Sequence, residues 1–454
     1  MLTSNSKLLL NYYFMLKKYT KREIKLANTN SEKYNKLQKF IFNNLSNINV
    51  DSLVNENTRN LYSNNSNNYN KLLISTYNNH LTNNKYISND IKEFIKTKNN
   101  NNSCVLIYNI TIDNINLNVN FFIYNSITLS KEDYNYYDNK IKQVLTVFKL
   151  IKLLTNNNIN NCSNNGLNIT FFLTPFKRTL NLSKKSDILG ANNANGGFCY
   201  GCNSHGNIII YRTEEHFKVL CHELIHNYGV DSYIWDFINS IKLENSDSQD
   251  LYKNFIKNFN LNNEIVNLKH DIGLQECIVE FWGEFLNNAL FSFFYTQECK
   301  FNNNIKFKKY LNFFDSIMNI EIIHSYLQSS KILQKNNMDY ESLISIINKE
   351  SNNYSEGTHI FSYYILKMIL IHDYKNYINL NIVCNNNNII FNKNKTYKNM
   401  AQFFDYICNY SINKTLIKNM NFIEEILWFL RNNVMCKQTN YIINNFKMAV
   451  IEQS

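Results

Sequence analysis

The sequence predicts an α+β fold, with a small twisted β-sheet and its backing helix followed by a mainly helical lobe. Residues 115–123 alternate in a period of two, and only two residues separate them from a largely apolar run at 104–112, which is typical of a β-hairpin. After residue 231, apolar residues recur at helical spacing. We predict three regions, namely an Asn-rich, mainly helical accessory region at 1–100, an α/β lobe at 101–230 and a helical lobe at 231–454.

The first hundred residues are polar, with helical patterns near residues 31–47 and 89–98 and a low-complexity loop at 64–68. The apolar run at residues 8–15 is short, is interrupted by Asn11 and lacks a small-residue cleavage site. We interpret this run as part of an amphipathic helix and not as a signal peptide.

The α/β lobe begins with the hairpin, whose strands are predicted at 104–112 and 115–123. A long helix follows at 131–154, then a loop at 155–165 and a strand at 167–173. After a Gly-rich loop, the sequence Ile208-Ile209-Ile210-Tyr211 predicts a buried strand.

The next segment contains Cys221-His222-Glu223-Leu224-Ile225-His226, which has the pattern H-E-x-x-H within a helical periodicity. Residues i and i+4 lie on one face of a helix, so His222 and His226 can present two imidazoles to one zinc ion. Glu223 stands beside them and can accept a proton, as the chemistry of zinc peptidases requires. The alternative is two core histidines satisfied by hydrogen bonds.

The boundaries of this helix are also predicted from the sequence. Thr213 is expected to cap its N-terminus, with Glu214, Glu215 and His216 in the first turn. Gly229 is expected to end it in a left-handed C-cap.

A catalytic zinc site needs a third protein ligand, and two segments could supply it. The nearer one resembles the metzincin extension, H-E-x-x-H-x-x-G-x-x-H, because Gly229 matches. However, Ser232 occupies the position of the third His, and Asp231 lies one residue out of register. The other segment is Gln275-Glu276-Cys277-Ile278-Val279-Glu280, in a helical pattern over residues 272–294.

This second segment resembles the N-E-x-x-S-D element of thermolysin-type gluzincins and the E-x-x-x-D element of neprilysin-like ones. The resemblance implies that Glu276 is the third zinc ligand and that Glu280 accepts the other ring N–H of His222. The family usually has Asp at the second position, where this chain has the longer Glu280. The alternative is a solvated row of carboxylates that Glu284 extends.

A broader resemblance covers about half of the chain. Residues 189–232, which include Asn195-Gly196-Gly197-Phe198 before the metal motif, resemble a poorly characterised group of metallopeptidases of large nucleocytoplasmic DNA viruses. Lys177-Arg178, Glu280-Phe281-Trp282 and the stretch from Glu356 to Lys367 also fit that group. The chain is rich in Asn, Ile, Lys and Tyr, which agrees with an AT-rich genome.

The resemblance to gluzincins implies the remaining parts of an active site. Gluzincins stabilise the oxyanion with a Tyr or His of the second lobe, and the candidates here are His359, Tyr363 and Tyr364. Each could equally be a core residue. Zincins add the substrate peptide to a sheet edge, and Asn195, Gly196, Gly197 and Phe198 are candidates for that edge. An ordinary turn-rich loop is the alternative.

The helices of the second lobe are predicted from apolar periodicity, and a surface loop is predicted at 385–388. The predicted helices span residues 271–294, 306–329, 340–348, 356–373, 400–408 and 422–432.

Composition limits the possible partners. The formal net charge is +11, but only 18% of the residues are charged and the basic ones are dispersed. We therefore expect no nucleic-acid partner and no membrane span, and the oligomeric state stays open. Ten Cys are scattered along the chain. Cys199-x-x-Cys202 is interpreted as two thiols, and the alternatives are a redox pair or half of a zinc knuckle. This dispersed pattern of cysteines predicts a reducing, cytoplasmic location. If the chain is viral, the predicted location is the host cytoplasm or the virion.

The sequence thus predicts a metallopeptidase that binds one Zn²⁺ per chain and hydrolyses protein or peptide substrates. The main alternative from another class is a virion-associated or structural protein with a non-catalytic zinc site. Glu223 argues against that alternative, because a structural zinc site has four protein ligands and needs no carboxylate base. A zinc hydrolase acting on something other than peptides is a further alternative.

Overall fold

A computed structural model describes residues 2–20, 31–98, 102–155, 162–182, 188–241, 247–259, 261, 272–297, 303–345, 354–385, 388–391, 397–433 and 437–453. Up to residue 230 its elements are α1 (Ser4–Thr20), α2 (Glu32–Asn47), β1 (Arg59–Ser63), α3 (Asn67–Thr76), α4 (Asn89–Lys98), β2 (Cys104–Ile112), β3 (Ile115–Ile123), α5 (Lys131–Thr155), β4 (Gly166–Thr174), α6 (Ala191–Ala194), β5 (Gly197–Cys199), β6 (His205–Arg212) and α7 (His216–Asn227).

Beyond residue 230 the structure is mainly helical. Its elements are α8 (Ser232–Ile241), α9 (Asp247–Ile256), α10 (Leu274–Gln297), α11 (Asn303–Lys335), α12 (Tyr340–Ile344), a π-helix (Phe361–Leu366), α13 (Lys367–His372), α14 (Tyr374–Asn381), β7 (Ile382–Asn385), β8 (Asn388–Phe391), α15 (Tyr397–Ser411), α16 (Lys414–Asn433) and α17 (Lys437–Asn444).

The chain divides into two compact units. The sheet unit comprises Phe40–Lys177 and Asn195–Val230, and the helical unit comprises Met1–Lys39, Arg178–Ala194 and Asp231–Ser454. With a six-stranded mixed sheet and many helices, the described residues confirm the predicted α+β class. Among the described helices, none is both long and apolar enough to cross a membrane.

The six strands of the sheet unit run in the order β1-β2-β3-β4-β6-β5. The predicted hairpin is confirmed as β2 and β3, which pair from Cys104–Ile123 to Ile112–Ile115. Its turn residues, Asp113 and Asn114, have φ values of 50° and 64°, which Asp and Asn tolerate and which match the twist of a two-residue hairpin. Strands β3, β4 and β6 are parallel, and β1 and β5 are antiparallel edge strands.

Helices cover both faces of this sheet. On one face the Tyr108 hydroxyl donates to Asp138 of α5 at 2.7 Å, and Phe171 lies 6.4 Å from His216 of α7, measured between ring centroids. On the other face, side chains of α3 and α4 pack on strand residues in one buried apolar cluster that includes Phe122 and Phe172. The metal-motif helix α7 is therefore supported by the first face of the sheet.

The accessory region contains a strand that the sequence did not predict. β1 pairs antiparallel with β2 from Arg59–Tyr108 to Ser63–Cys104, although only Leu61 and Tyr62 in it are large and apolar. The predicted loop at 64–68 is shorter than expected, because the Ser66 side chain accepts from the Tyr69 N–H and α3 begins at Asn67.

The helical unit departs from its predicted elements in two places. The predicted helix at 356–373 begins later, since Glu356 Oε2 accepts from the Phe361 N–H at 2.6 Å and Glu356 pairs with Leu189 in an isolated β-bridge. Strands β7 and β8 form a second, unpredicted sheet. Parts of four predicted elements lie outside the described residues. They are residues 156–161 and 386–387 of two predicted loops, and residues 271 and 346–348 of two predicted helices.

The interpretation of Cys202 as a free thiol is wrong. Cys202 forms a disulfide with Cys162, with Cα atoms 4.8 Å apart, while Cys199 is not disulfide-bonded. The bond joins the residues before β4 to the loop before β6. The disulfide therefore links two loops of the sheet unit.

Replacing Cys202 by Ser should lower the free energy of unfolding. The disulfide spans a sequence separation of 40 residues, and restricting a loop of that size in the unfolded chain contributes about 2–4 kcal/mol. Denaturant unfolding of the oxidised protein measures the change. Cys199→Ser is the matched control and should unfold like the unmodified protein; equal losses in both variants would contradict the assigned pairing.

Candidate metal centre

Helix α7 forms because its apolar residues recur at helical spacing and are buried. Phe217, Leu220, Leu224 and Ile225 are at most 4% exposed. The predicted start of the helix is wrong: α7 begins at His216, after Glu215 in a left-handed conformation with φ of 57°. Thr213 does not cap it, because its hydroxyl donates to the carbonyls of Leu173 and Thr174 at 2.7 and 3.1 Å.

The predicted end of α7 is confirmed. Gly229 has a φ of 61°, and its N–H donates to the His226 carbonyl at 2.9 Å. The Val230 N–H donates to the Ile225 carbonyl at 3.2 Å, which completes the two hydrogen bonds of a Schellman motif. The last turn, which carries His226, is thereby fixed.

The two histidines of the motif lie on one side of α7. The ring centroids of His222 and His226 are 4.9 Å apart. His222 is buried, at 7% exposure, and His226 is half-buried. Glu223 is 5% exposed. The pair can therefore offer two nitrogen ligands to one ion, with a shielded carboxylate beside them.

One group of His, Cys, Asp or Glu side chains among the described residues could hold a metal ion. It consists of His222, His226 and Glu276, whose ligand atoms all lie within 4.8 Å of one another. Asp231, the alternative third ligand, is not in this group; its Oδ2 accepts from the indole N–H of Trp235 at 3.0 Å.

The thiols next to these residues are buried core groups. Burial raises the pKa of Cys221 to about 12, and the Lys218 charge offsets part of the rise. Burial, followed by the nearby Glu276 carboxylate, raises the pKa of Cys277 as well. Neither belongs to the metal-capable group, so the donor set consists of two imidazoles and one carboxylate.

The carboxylates that follow Glu276 on α10 are not a solvated row. Glu280 and Glu284 are each 1% exposed. Glu284 Oε2 accepts from Lys367 Nζ at 2.7 Å, and the same ammonium donates to the Met448 carbonyl at 2.9 Å. Lys367 is a partner that the sequence analysis missed, because nothing local relates it to α10. The contact predicted between Glu280 and His222 stays a prediction.

The three candidates for oxyanion stabilisation have different surroundings. Tyr364 is 1% exposed, stacks on Phe446 and donates its hydroxyl to the Phe446 carbonyl at 2.8 Å, so it is a core residue. His359 and Tyr363 are half-buried. The His359 ring packs on Gly273, where an added Cβ would lie 2.4 Å from it, and the Gly273 carbonyl accepts from the Glu276 N–H. His359 therefore lies at the start of the helix that carries Glu276.

The candidate substrate segment leads into an edge strand. Gly197 and Phe198 belong to β5, and Asn195 and Gly196 precede it. Asn195 and Phe198 are buried, while Gly197 is partly exposed. The Asn195 carbonyl accepts from the Arg212 guanidinium at 2.7 Å. Arg212 is a buried residue to which the sequence analysis gave no role, although its position at the end of a buried strand was a signal.

Gly197 lies against the motif helix. A Cβ at Gly197 would lie 2.7 Å from Val219 Cγ1, 2.9 Å from the Ile209 carbonyl oxygen and 3.3 Å from Glu223 Oε1. The first two distances are too short for real contacts, so only Gly lets the edge strand approach α7 this closely. This places the backbone of β5 beside the Glu223 carboxylate.

Gly197→Ala should lower the free energy of unfolding by about 1–3 kcal/mol, because the methyl group overpacks the space between β5 and α7. Denaturant unfolding measures the loss. Gly190→Ala is a suitable control, since an added Cβ there meets nothing within 4 Å. If Gly197→Ala were as stable as the control, the close approach of β5 to α7 would be wrong.

The comparisons give no family for the chain. No protein-family model, no curated protein and no solved structure matches it.

Proposed function

We propose that the chain is a zinc-dependent metallopeptidase of the gluzincin type with a zincin-like fold. The observation that carries the proposal is the mutual proximity of the ligand atoms of His222, His226 and Glu276. Two imidazole nitrogens and one carboxylate oxygen are a ligand set of catalytic zinc sites, which leave the fourth position open. Structural zinc sites instead have four protein ligands.

Each residue of the candidate site has its own role in the proposed reaction. Zinc, when bound, supplies a Lewis acid that lowers the pKa of a water molecule. Glu223 would accept a proton from the attacking water and return it to the leaving amine. Its low exposure keeps competing water away from the carboxylate. His359 or Tyr363 donates a hydrogen bond to the oxyanion of the tetrahedral intermediate.

Peptide substrates are favoured by the position of the edge strand. β5 pairs with β6 on one side, and the described residues supply no strand for its other side. An extended peptide can add to such an edge by main-chain hydrogen bonds. Because Gly197 lies beside Glu223, a peptide bound there would bring its backbone near the base. The predicted cytoplasmic location and the resemblance to viral metallopeptidases stay predictions.

Glu223→Gln should retain one zinc per chain but lower turnover by about 10²–10⁴-fold, since an amide cannot accept the proton. Elemental analysis of the purified protein gives the zinc content, and cleavage of a fluorogenic peptide library, with and without a chelator, gives turnover. Glu93→Gln, at an exposed position on α4, is the matched control and should change neither.

Two results would contradict this assignment. Loss of zinc in Glu223→Gln would make Glu223 a ligand or a structural residue. Stoichiometric zinc in the unmodified protein, with no cleavage of any peptide, would favour a virion-associated or structural protein with a non-catalytic site.

Glu276→Ala should weaken zinc binding by about 100-fold or more, because it removes one of three protein ligands and even a residue that only orients a ligand is worth about 10–100-fold. Competition with a chromophoric chelator measures the affinity. Asp231→Asn retains an acceptor for Trp235 and should bind zinc like the unmodified protein. If Asp231→Asn lost zinc and Glu276→Ala kept it, Asp231 would be the third ligand, as in the metzincin alternative, and the gluzincin assignment would be wrong.

A further inference from the structure

One row of residues across the sheet unit consists of four asparagines. Asn109 of β2, Asn118 of β3, Asn168 of β4 and Asn207 of β6 are direct neighbours in the strand register. Adjacent strands lie about 4.8 Å apart, so the four side-chain amides span about 14 Å on one face of the sheet.

This row lies on the sheet face opposite α7. Side chains alternate between faces, so Asn118 and Asn168 share a face with Phe122 and Phe172, whose end of the sheet is covered by α3 and α4. The asparagine end of that face adjoins a cavity of about 360 Å³. Its lining includes Asn109, Asn116, Asn118, Asn168, Thr111 and His205.

The position of these residues is unusual for a stable sheet. Asn is disfavoured in strands, where β-branched residues pack better. The chain is rich in Asn, so single exposed asparagines need no explanation. Four asparagines occupy one register row, and three of them, Asn109, Asn118 and Asn168, line the cavity. A residue type that is unfavourable in strands therefore lies where a ligand could reach it.

Hydrogen bonds within the row fix how the amides point. Asn118 Nδ2 donates to Asn109 Oδ1 at 2.6 Å, and Asn168 Nδ2 donates to Asn207 Oδ1 at 3.2 Å. Asn116 Oδ1 accepts from the Thr111 hydroxyl at 2.9 Å. Within the part of the chain that the structure describes, Asn118 Oδ1 and Asn168 Oδ1 keep their acceptor capacity, and Asn109 Nδ2 and Asn116 Nδ2 keep their donors.

The chemistry of this surface selects among ligand classes. The described lining contains no Lys, Arg, Asp or Glu and no Phe, Tyr or Trp. It therefore lacks the permanently charged Lys and Arg side chains that hold phosphates and the large aromatic rings on which nucleobases stack. Interleaved donors and acceptors match groups that both donate and accept, and a hydroxyl does both.

We propose that the asparagine row and its cavity bind a neutral oligosaccharide, with neighbouring hydroxyl groups paired to the free amide oxygens and nitrogens of Asn109, Asn116, Asn118 and Asn168. This site is separate from the candidate metal centre and does not depend on the proposed peptidase activity.

The test uses the full chain and isothermal titration calorimetry. The probes are neutral hexasaccharides of glucose, mannose, xylose and N-acetylglucosamine, together with a neutral N-linked glycan released from a glycoprotein. These arms distinguish a free polysaccharide from a protein-linked glycan. Inorganic phosphate and a single-stranded oligonucleotide are the anionic probes, and neither should bind at this site.

The double variant Asn118→Val with Asn168→Val should weaken oligosaccharide binding by about tenfold or more, since it removes two sets of hydrogen-bonding groups. Valine favours strands, so the variant should unfold at the same temperature or higher. Asn60→Val, on the exposed part of β1 and away from the cavity, is the matched control and should bind normally. The proposal fails if no neutral oligosaccharide binds, if an anionic probe binds better, or if the double variant binds like the control.

Discussion

The burial of charged residues in and before α7 is the constraint on which the sheet unit depends. Glu214, Glu215, His216, Lys218, His222 and Glu223 are each at most 7% exposed, within ten consecutive residues. Removing an ionised group from water costs several kcal/mol unless other groups replace the water. The surrounding elements must therefore supply polar partners. His216 bonds the Thr213 carbonyl through Nδ1 at 2.8 Å and Lys140 of α5 through Nε2 at 3.3 Å. Helix α5 is thus positioned by a polar contact as well as by apolar packing.

The helical unit also buries charged side chains, and other polar groups compensate them. Lys367 and Glu284 form an ion pair in which both side chains are 1% exposed. Breaking such a pair by removing one partner costs about 3–5 kcal/mol, because it leaves an uncompensated charge. Glu321 accepts from the N–H groups of Val450 and Ile451, and burial, followed by the nearby Glu284, raises its pKa to about 8. The acidic side of α10 therefore belongs to an internal network.

Sequence patterns predicted those elements that depend on contacts between residues close in sequence. The hairpin of β2 and β3 follows from alternation and its two-residue turn, and the C-cap of α7 follows from Gly229. β1 was missed because an edge strand needs only backbone pairing to β2, which leaves little trace in its own side chains. The start of α7 was wrong because Thr213 bonds to strand β4, a contact that local sequence does not encode.

At the candidate site, too, the sequence predicted local arrangements but not contacts between residues distant in sequence. Helical spacing was enough to pair His222 with His226. It could not show that the Tyr364 hydroxyl is bound to the Phe446 carbonyl, 82 residues away, because an apolar helical stripe does not tell which polar tips are already satisfied. Likewise, the partner of Cys202 is Cys162 and not the adjacent Cys199, and pairing is a property of the folded loops.

The segment from Phe446 to Gln453 has a consequence for the order of folding. Its residues are at most 6% exposed. It is held by Glu321, Lys367 and Asn287, and Thr3 donates to Glu452 across a separation of 449 residues. Contacts between residues so distant in sequence form slowly, because the loop between them must first close. The sheet unit, whose hairpins and parallel strands lie within residues 40–230, can fold during translation. The helical unit can complete its core only after residues 446–453, which follow every other described element, have left the ribosome.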